Sequence, residues 1–154
     1  MALEVTIEHR DSLPLAVIRR RVLPHQLSRV VPEGCGRVWS LLKQHGVTGS
    51  GRHVAVYLNG DIDLEVGVEI SGTFTGAAEV VPSATPAGLV AAVTHLGPYQ
   101  ELPRAHQTVR QFCSDHCHAL AGPSWEIYGH WEQAWEKDPG RIRTDVYYQL
   151  TADG

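Results

Sequence analysis

Residues 53–70 read HVAVYLNGDIDLEVGVEI, and this stretch decides the fold. Residues 53–58 form a β-rich apolar run, and Asn59, Gly60 and Asp61 supply turn chemistry. Residues 63–70 then alternate strictly: Leu64, Val66, Val68 and Ile70 on one side, Asp63, Glu65, Gly67 and Glu69 on the other. A period of two on both arms predicts an antiparallel hairpin with one apolar face. A lone hairpin cannot bury that face stably, so the rest of the chain must cover it.

Working outward, residues 3–9 (LEVTIEH) alternate as a strand, and residues 14–22 (PLAVIRRRV) read as a second. A helix follows, with Pro32 expected at its first position, Val38, Leu41, Leu42 and His45 on one face, and Gly46 as a left-handed stop. The pattern then restarts. Residues 82–86 read as a Pro/Ser/Thr linker, and residues 87–95 as a strand broken by Gly97 and Pro98. A second helix is expected over 99–120, its stripe being Leu102, Ala105, Val109, Phe112, His116 and Leu120, with Gly122 and Pro123 ending it. Strands at 124–130 and 144–150 follow, separated by a polar loop. Strand–helix–strand–strand therefore occurs twice, at about 1–80 and about 86–152 of one domain covering 1–154. Ala16, Val17 and Ile18 correspond to Ala91, Ala92 and Val93, and Tyr57 to Tyr128. The expected fold is α+β: tandem pseudo-two-fold β-α-β-β modules forming one antiparallel sheet, two helices on one face and a ligand cleft on the other.

Composition narrows the class. The chain has 154 residues, 13 Lys plus Arg against 17 Asp plus Glu, and a formal net charge of −4. An acidic chain without a long basic run argues against direct nucleic-acid binding. No apolar run is long enough to span a bilayer, and the charged, alternating start does not read as a signal peptide. Cys35, Cys113 and Cys117 make no disulfide framework, so a cytoplasmic protein with reduced thiols is expected. Cys113, His116 and Cys117 sit close on one helix, yet no CxxC or HExxH pattern completes a zinc set, so no metal and no cofactor are expected.

Alternation also sorts polar residues by face. Trp125 and Ile127 oppose Glu126 and Tyr128; Val146, Tyr148 and Leu150 oppose Asp145 and Tyr147. If each apolar side meets the helices, the cleft gathers Tyr57, Glu65, Glu126, Tyr128 and Tyr147. Aromatic rings around a central carboxylate suit flat, lipophilic cations: the rings give apolar area and cation–π attraction, and the acid neutralises charge that is costly to bury. A solvated sheet face bearing Tyr and Glu is the plainer alternative.

Residues 94–99 (THLGPY), 122–128 (GPSWEIY) and 143–150 (RTDVYYQL), in that order, resemble the GyrI-like small-molecule-binding family, which shares its fold with the effector-binding domains of AraC-type and multidrug-responsive regulators. The segment beginning Asp63-Leu-Glu-Val resembles the matching motif of the first half. The resemblance implies a cleft between the halves and a buried pocket glutamate meeting cationic aromatic ligands. Glu126 matches that glutamate, and Tyr57, Tyr128 and Tyr147 match aromatic positions less closely. Trp125 departs from the plainer residue usual before the glutamate. It is expected to pack toward the helices, whereas an inverted register would put it in the pocket. The chain starts directly with a strand, so a DNA-binding segment is not expected ahead of it.

The resemblance implies three readings. The first is a stand-alone binder of lipophilic aromatic, cationic, drug-like molecules. The second is a hydrolase of strained, cyclopropane-bearing electrophiles with Glu126 as base. The third is an interaction module acting on gyrase or a transcription regulator through a protein partner. Elsewhere, Arg19, Arg20 and Arg21 read as charge protecting an edge strand. His95 and His106 read as surface or capping residues at the start of the second helix. Trp131 and Trp135, in the loop between the last two strands, are expected to share a short helical face that covers the cleft mouth.

Overall fold

The computed structural model describes residues 3–47, 51–59 and 63–151. In chain order the elements are β1 (Thr6–Arg10), β2 (Pro14–Arg21), α1 (Leu27–Gln44), β3 (His53–Asn59), β4 (Asp63–Glu69), β5 (Val81–Ala84), β6 (Gly88–Leu96), α2 (Leu102–Asp115), β7 (Leu120–Tyr128), α3 (Ala134–Lys137) and β8 (Arg143–Leu150). Single 3-10 turns lie at Pro24–Gln26, Tyr99–Glu101 and Pro139–Arg141. The chain divides into two compact units, Ser12–Pro86 and Met1–Asp11 with Ala87–Gly154. Each pairs its strands antiparallel and carries one long helix, which is the α+β architecture that the alternation predicts.

In the unit Ser12–Pro86 the strand order is β3-β4-β2-β5. The predicted hairpin is present as β3 and β4, although Gly60 and Asp61 of its expected turn lie outside the described residues. Glycine lets backbones approach here. A Cβ on Gly34 of α1 would fall 2.2 Å from Val66 Cγ2, and one on Gly67 of β4 would fall 1.9 Å from the Ala16 carbonyl oxygen of β2. These contacts place α1 on the face of Ile18 and Val66. Helix α1 begins before the expected position and contains Pro32. The Gln26 side chain accepts the Leu23 N–H at 2.9 Å, and this local bond starts the helix upstream of the proline. The expected linker at 82–86 begins as β5, which pairs with the first half of β2. A proline is tolerated there because β5 is the last strand in the order.

The run Arg19–Arg21 is neutralised strand by strand rather than left as a bare edge. Arg19 pairs with Glu65, Arg20 with Glu79 and Arg21 with Asp63. Glu79 also takes Arg37 at 2.6 Å, and the Arg20 hydrogen bond, with both guanidinium charges, holds its carboxyl below the ordinary range.

In the other unit the order is β1-β6-β8-β7. β1 pairs with β6 from Thr6↔Ala92 to Arg10↔Gly88, so the first strand belongs here and not to a module at 1–80. Helix α2 packs Leu102, Ala105, Val109 and Cys113 onto Ala91, Val93, Val146, Tyr148 and Leu150. The helix ends at Asp115, short of the expected 120, and the stripe ends with Cys113 rather than running on to His116 and Leu120. Cys117 takes the left-handed conformation, φ 58°, while the His118 N–H reaches the Cys113 carbonyl at 2.8 Å. That is a Schellman closure made without glycine. Gly122 and Pro123 therefore fall inside β7, where its register against β8 shifts between Leu120 and Ser124.

The glycine contacts generate a paired expectation. Gly67→Ala must displace backbone and should destabilise the protein by about 2 kcal/mol or more. Gly36→Ala, on an exposed helical position with nothing within 4 Å of the new Cβ, should stabilise it by about 0.5–1 kcal/mol. Urea melts of the two variants check both signs.

Candidate functional site

Registers across β6, β8 and β7 lay the residues out in rows: His95–Thr144–Tyr128, Val93–Val146–Glu126 and Ala91–Tyr148–Ser124. Directly opposed residues of an antiparallel pair share a face. Val146 and Tyr148 belong to the core under α2, so Glu126 and Tyr128 point at that helix too. Helix α2 answers with His106 and Arg110, one turn apart, and the turn before it contributes Tyr99.

The polar groups form a connected chain. Arg110 Nη1 donates to Tyr148 Oη at 2.8 Å, and Tyr148 Oη meets His106 Nδ1 at 2.7 Å. His106 Nε2 meets Glu126 Oε2 at 2.5 Å, and Tyr128 Oη donates to Glu126 Oε1 at 2.5 Å. Tyr99 stands edge-on to Tyr128 with ring centroids 5.8 Å apart. Glu126 is buried, with 5% of its side chain exposed, against 14% for His106.

Hydrogen-bond logic assigns the protons. In one arrangement Tyr148 donates to Nδ1 and a neutral His106 donates from Nε2 to the Glu126 carboxylate. In a second, His106 carries both protons and Tyr148 Oη accepts from Nδ1. Every contact survives in either case, so the cluster can hold one proton more or less without losing a bond. Burial pushes the Tyr148 phenol above its ordinary range, with Arg110 opposing that rise. Burial likewise raises Tyr99. Thr144 Oγ1, beside Tyr128 in the register, is fully buried with no hydrogen-bond partner.

This geometry corrects the sorting of faces read from alternation. Trp125 and Ile127 do not meet α2. Trp125 stacks on Tyr147 at 5.5 Å with 23° between the rings, and the Arg10 guanidinium lies 4.8 Å from the Tyr147 centroid. Tyr147 thus shares a face with Trp125 and not with Glu126. In the unit Ser12–Pro86, Tyr57 opposes Leu64 on the face of α1, while Glu65 opposes Val56 and Arg19 on the reverse. Glu65 accepts Arg19 Nε at 2.8 Å and Ser83 Oγ at 2.5 Å. Tyr57 and Glu65 therefore do not share a face. Of the expected site residues, Glu126 and Tyr128 come together, and the structure adds His106, Tyr148, Arg110 and Tyr99. His106 and Arg110 had a visible signal, two nitrogen-bearing side chains at i and i+4 beside the apolar stripe of a helix.

The loop from 132 to 143 contains α3 and the turn at Pro139–Arg141. Trp135 is buried with its ring against Gly129, where a Cβ would come within 3.1 Å, while Trp131 crosses it edge-on from a largely exposed position before the helix. Among the described residues, no group of three His, Cys, Asp or Glu is placed to hold a metal ion. No helix among them is long and apolar enough to cross a membrane.

The chain belongs to the GyrI-like small molecule binding domain family, whose sequence profile matches residues 3–151. No curated protein sequence matches it. Among solved structures it resembles the C-terminal domain of EcmrR, at 16% identity over 97% of this chain and 98% of that one, with a TM-score of 0.75. It also resembles SAV2435 bound to tetraphenylphosphonium (11% identity, 97% and 94% covered, TM-score 0.62). A third likeness is a hydrolase from Listeria innocua (10% identity, 96% and 92% covered, TM-score 0.60). At these identities the likenesses establish the fold.

Tyr148 joins Arg110 to His106, so Tyr148→Phe should cost about 1 kcal/mol in urea denaturation by removing the bond to His106 Nδ1. In alkaline spectrophotometric titration the same variant should lose a phenol that ionises above the ordinary tyrosine range. The sign follows: a phenol raised on folding favours the native state below its unfolded pKa, and that support fades as pH climbs through the folded value.

Proposed function

We propose that this chain binds lipophilic, aromatic, cationic small molecules, with Glu126 as the counter-charge. The observation carrying the proposal is a buried carboxylate flanked by the phenols of Tyr128 and Tyr148, with Tyr99 edge-on to the first. An acid removed from water attracts a ligand cation far more strongly than a solvated one does. Rings beside it add contact area and cation–π attraction of about 0.5–2 kcal/mol each. The fold shared with a protein solved bound to tetraphenylphosphonium supports the same ligand chemistry. The reading rests on Glu126, Tyr128, Tyr148 and Tyr99.

A second reading, hydrolysis of a strained electrophile such as a cyclopropane, is favoured by the contact between His106 and Glu126. An imidazole held by an acid on one nitrogen and a phenol on the other is equipped to move a proton. In that reading a water attacks the ring carbon, its proton passes to the His106–Glu126 pair, and the cleaved bond's electrons leave on the electrophilic acceptor of the substrate. The solved hydrolase of the same fold is consistent with such chemistry.

Titration with tetraphenylphosphonium at pH 8, followed by calorimetry, tests the first reading. Glu126→Gln keeps the shape and removes the charge, so affinity should fall on the order of tenfold to a hundredfold. Equal binding by wild type and Glu126→Gln, or no binding by either, overturns the reading. Time-dependent ring opening of a cyclopropane electrophile that Glu126→Gln abolishes would favour the second.

A further inference from the structure

We infer that His106 is a built-in competitor for the ligand: its imidazole occupies the acid that a cation needs, and binding requires it to give way. The inference rests on Glu126 being the counter-charge of the bound cation. Both carboxylate oxygens already accept a hydrogen bond, Oε2 from His106 and Oε1 from Tyr128. Tyr128 is a neutral phenol on the same strand as the acid, and it can remain while a cation sits alongside. His106 comes from the opposing helix, is the more exposed partner of the pair, and can itself be the cation.

The surroundings define what the competition costs. Facing His106 are Glu126 and Tyr128 from β7, Tyr148 from β8 and Arg110 from its own helix. Tyr99 stands beyond Tyr128, and His95 lies across Thr144 in the row of Tyr128. Glu126 favours an imidazolium and Arg110 opposes one. A protonated His106 gives the acid a complete ion pair, so an incoming cation meets a neutralised site. With a neutral His106 the incoming cation has a hydrogen bond to displace at Oε2 and not an ion pair. Cation binding and protonation of His106 are therefore antagonistic, and each cation bound at low pH expels a proton. Tyr148 preserves this choice, because its hydroxyl can donate to Nδ1 or accept from it.

The probe is tetraphenylphosphonium, whose charge does not change with pH. For wild type, the Kd should rise as pH falls from 8 to 5.5, approaching tenfold per pH unit once His106 is protonated. Calorimetry in buffers of different ionisation enthalpy should show up to one proton released per cation. His106→Leu removes both the N–H and the titration: it should bind roughly tenfold more tightly than wild type at pH 6 and show no pH dependence in that window. His106→Gln keeps a neutral donor that cannot be protonated, so its affinity should stay flat between pH 8 and 5.5. Proton release that persists in His106→Gln, or weaker binding by a folded His106→Leu, overturns the competitor role while leaving Glu126 as the counter-charge. Wild type that fails to bind at pH 8 overturns both.

Discussion

A carboxylate taken out of water must be met by donors, and the burial of Glu126 organises the site around that requirement. The acid sits on β7 under α2, opposite Val146, which offers nothing to bond. His106 and Tyr128 answer it directly, and Tyr148 and Arg110 hold His106 in turn. Residues on a helix and two strands are thereby fixed to one another by a single acid. The same demand explains why a cationic ligand suits the place: it is another way of meeting the charge.

Much of the fold was legible because its strands obey a period of two and its helices a stripe. β4 could hardly be read otherwise, and the pairing of β3 with β4 is what the turn chemistry of Asn59, Gly60 and Asp61 in the sequence leads one to expect. The places where reading failed share a cause, which is backbone closure by means other than the usual residue. Helix α2 stops at a left-handed Cys117, and the glycine that looked like its stop lies in β7. Helix α1 starts from a side-chain bond of Gln26 and so runs through Pro32. β1 pairs with β6, a partner far along the chain, and local patterning carries no information about it.

The site was half legible for a related reason. Alternation correctly separated Trp125 from Glu126 within β7, and Tyr147 from Tyr148 within β8. It could not say which side of one strand matches which side of the next, because register alone fixes that. The rule that the apolar side meets the helix fails in this unit: Trp125, Tyr147 and Ile127 are buried on the face away from α2. When both faces of a strand are buried, hydrophobicity no longer chooses between them. Turning the apolar side of β7 toward the helix exchanged Tyr148 for Tyr147 beside the acid, and left His106 in a role assigned to the helix surface.

Two glutamates of this chain are equally buried, and comparing them shows why only one suits a ligand. Glu65 is held by the Arg19 guanidinium, which never loses its charge, and by Ser83. Its charge is permanently answered, so a second cation gains little there. Glu126 is held by an imidazole and a phenol, one of which can be neutral and the other of which is. Burial alone therefore does not mark a binding acid. What distinguishes Glu126 is that the imidazole on Oε2 can hold it without carrying a charge of its own, which a guanidinium cannot do.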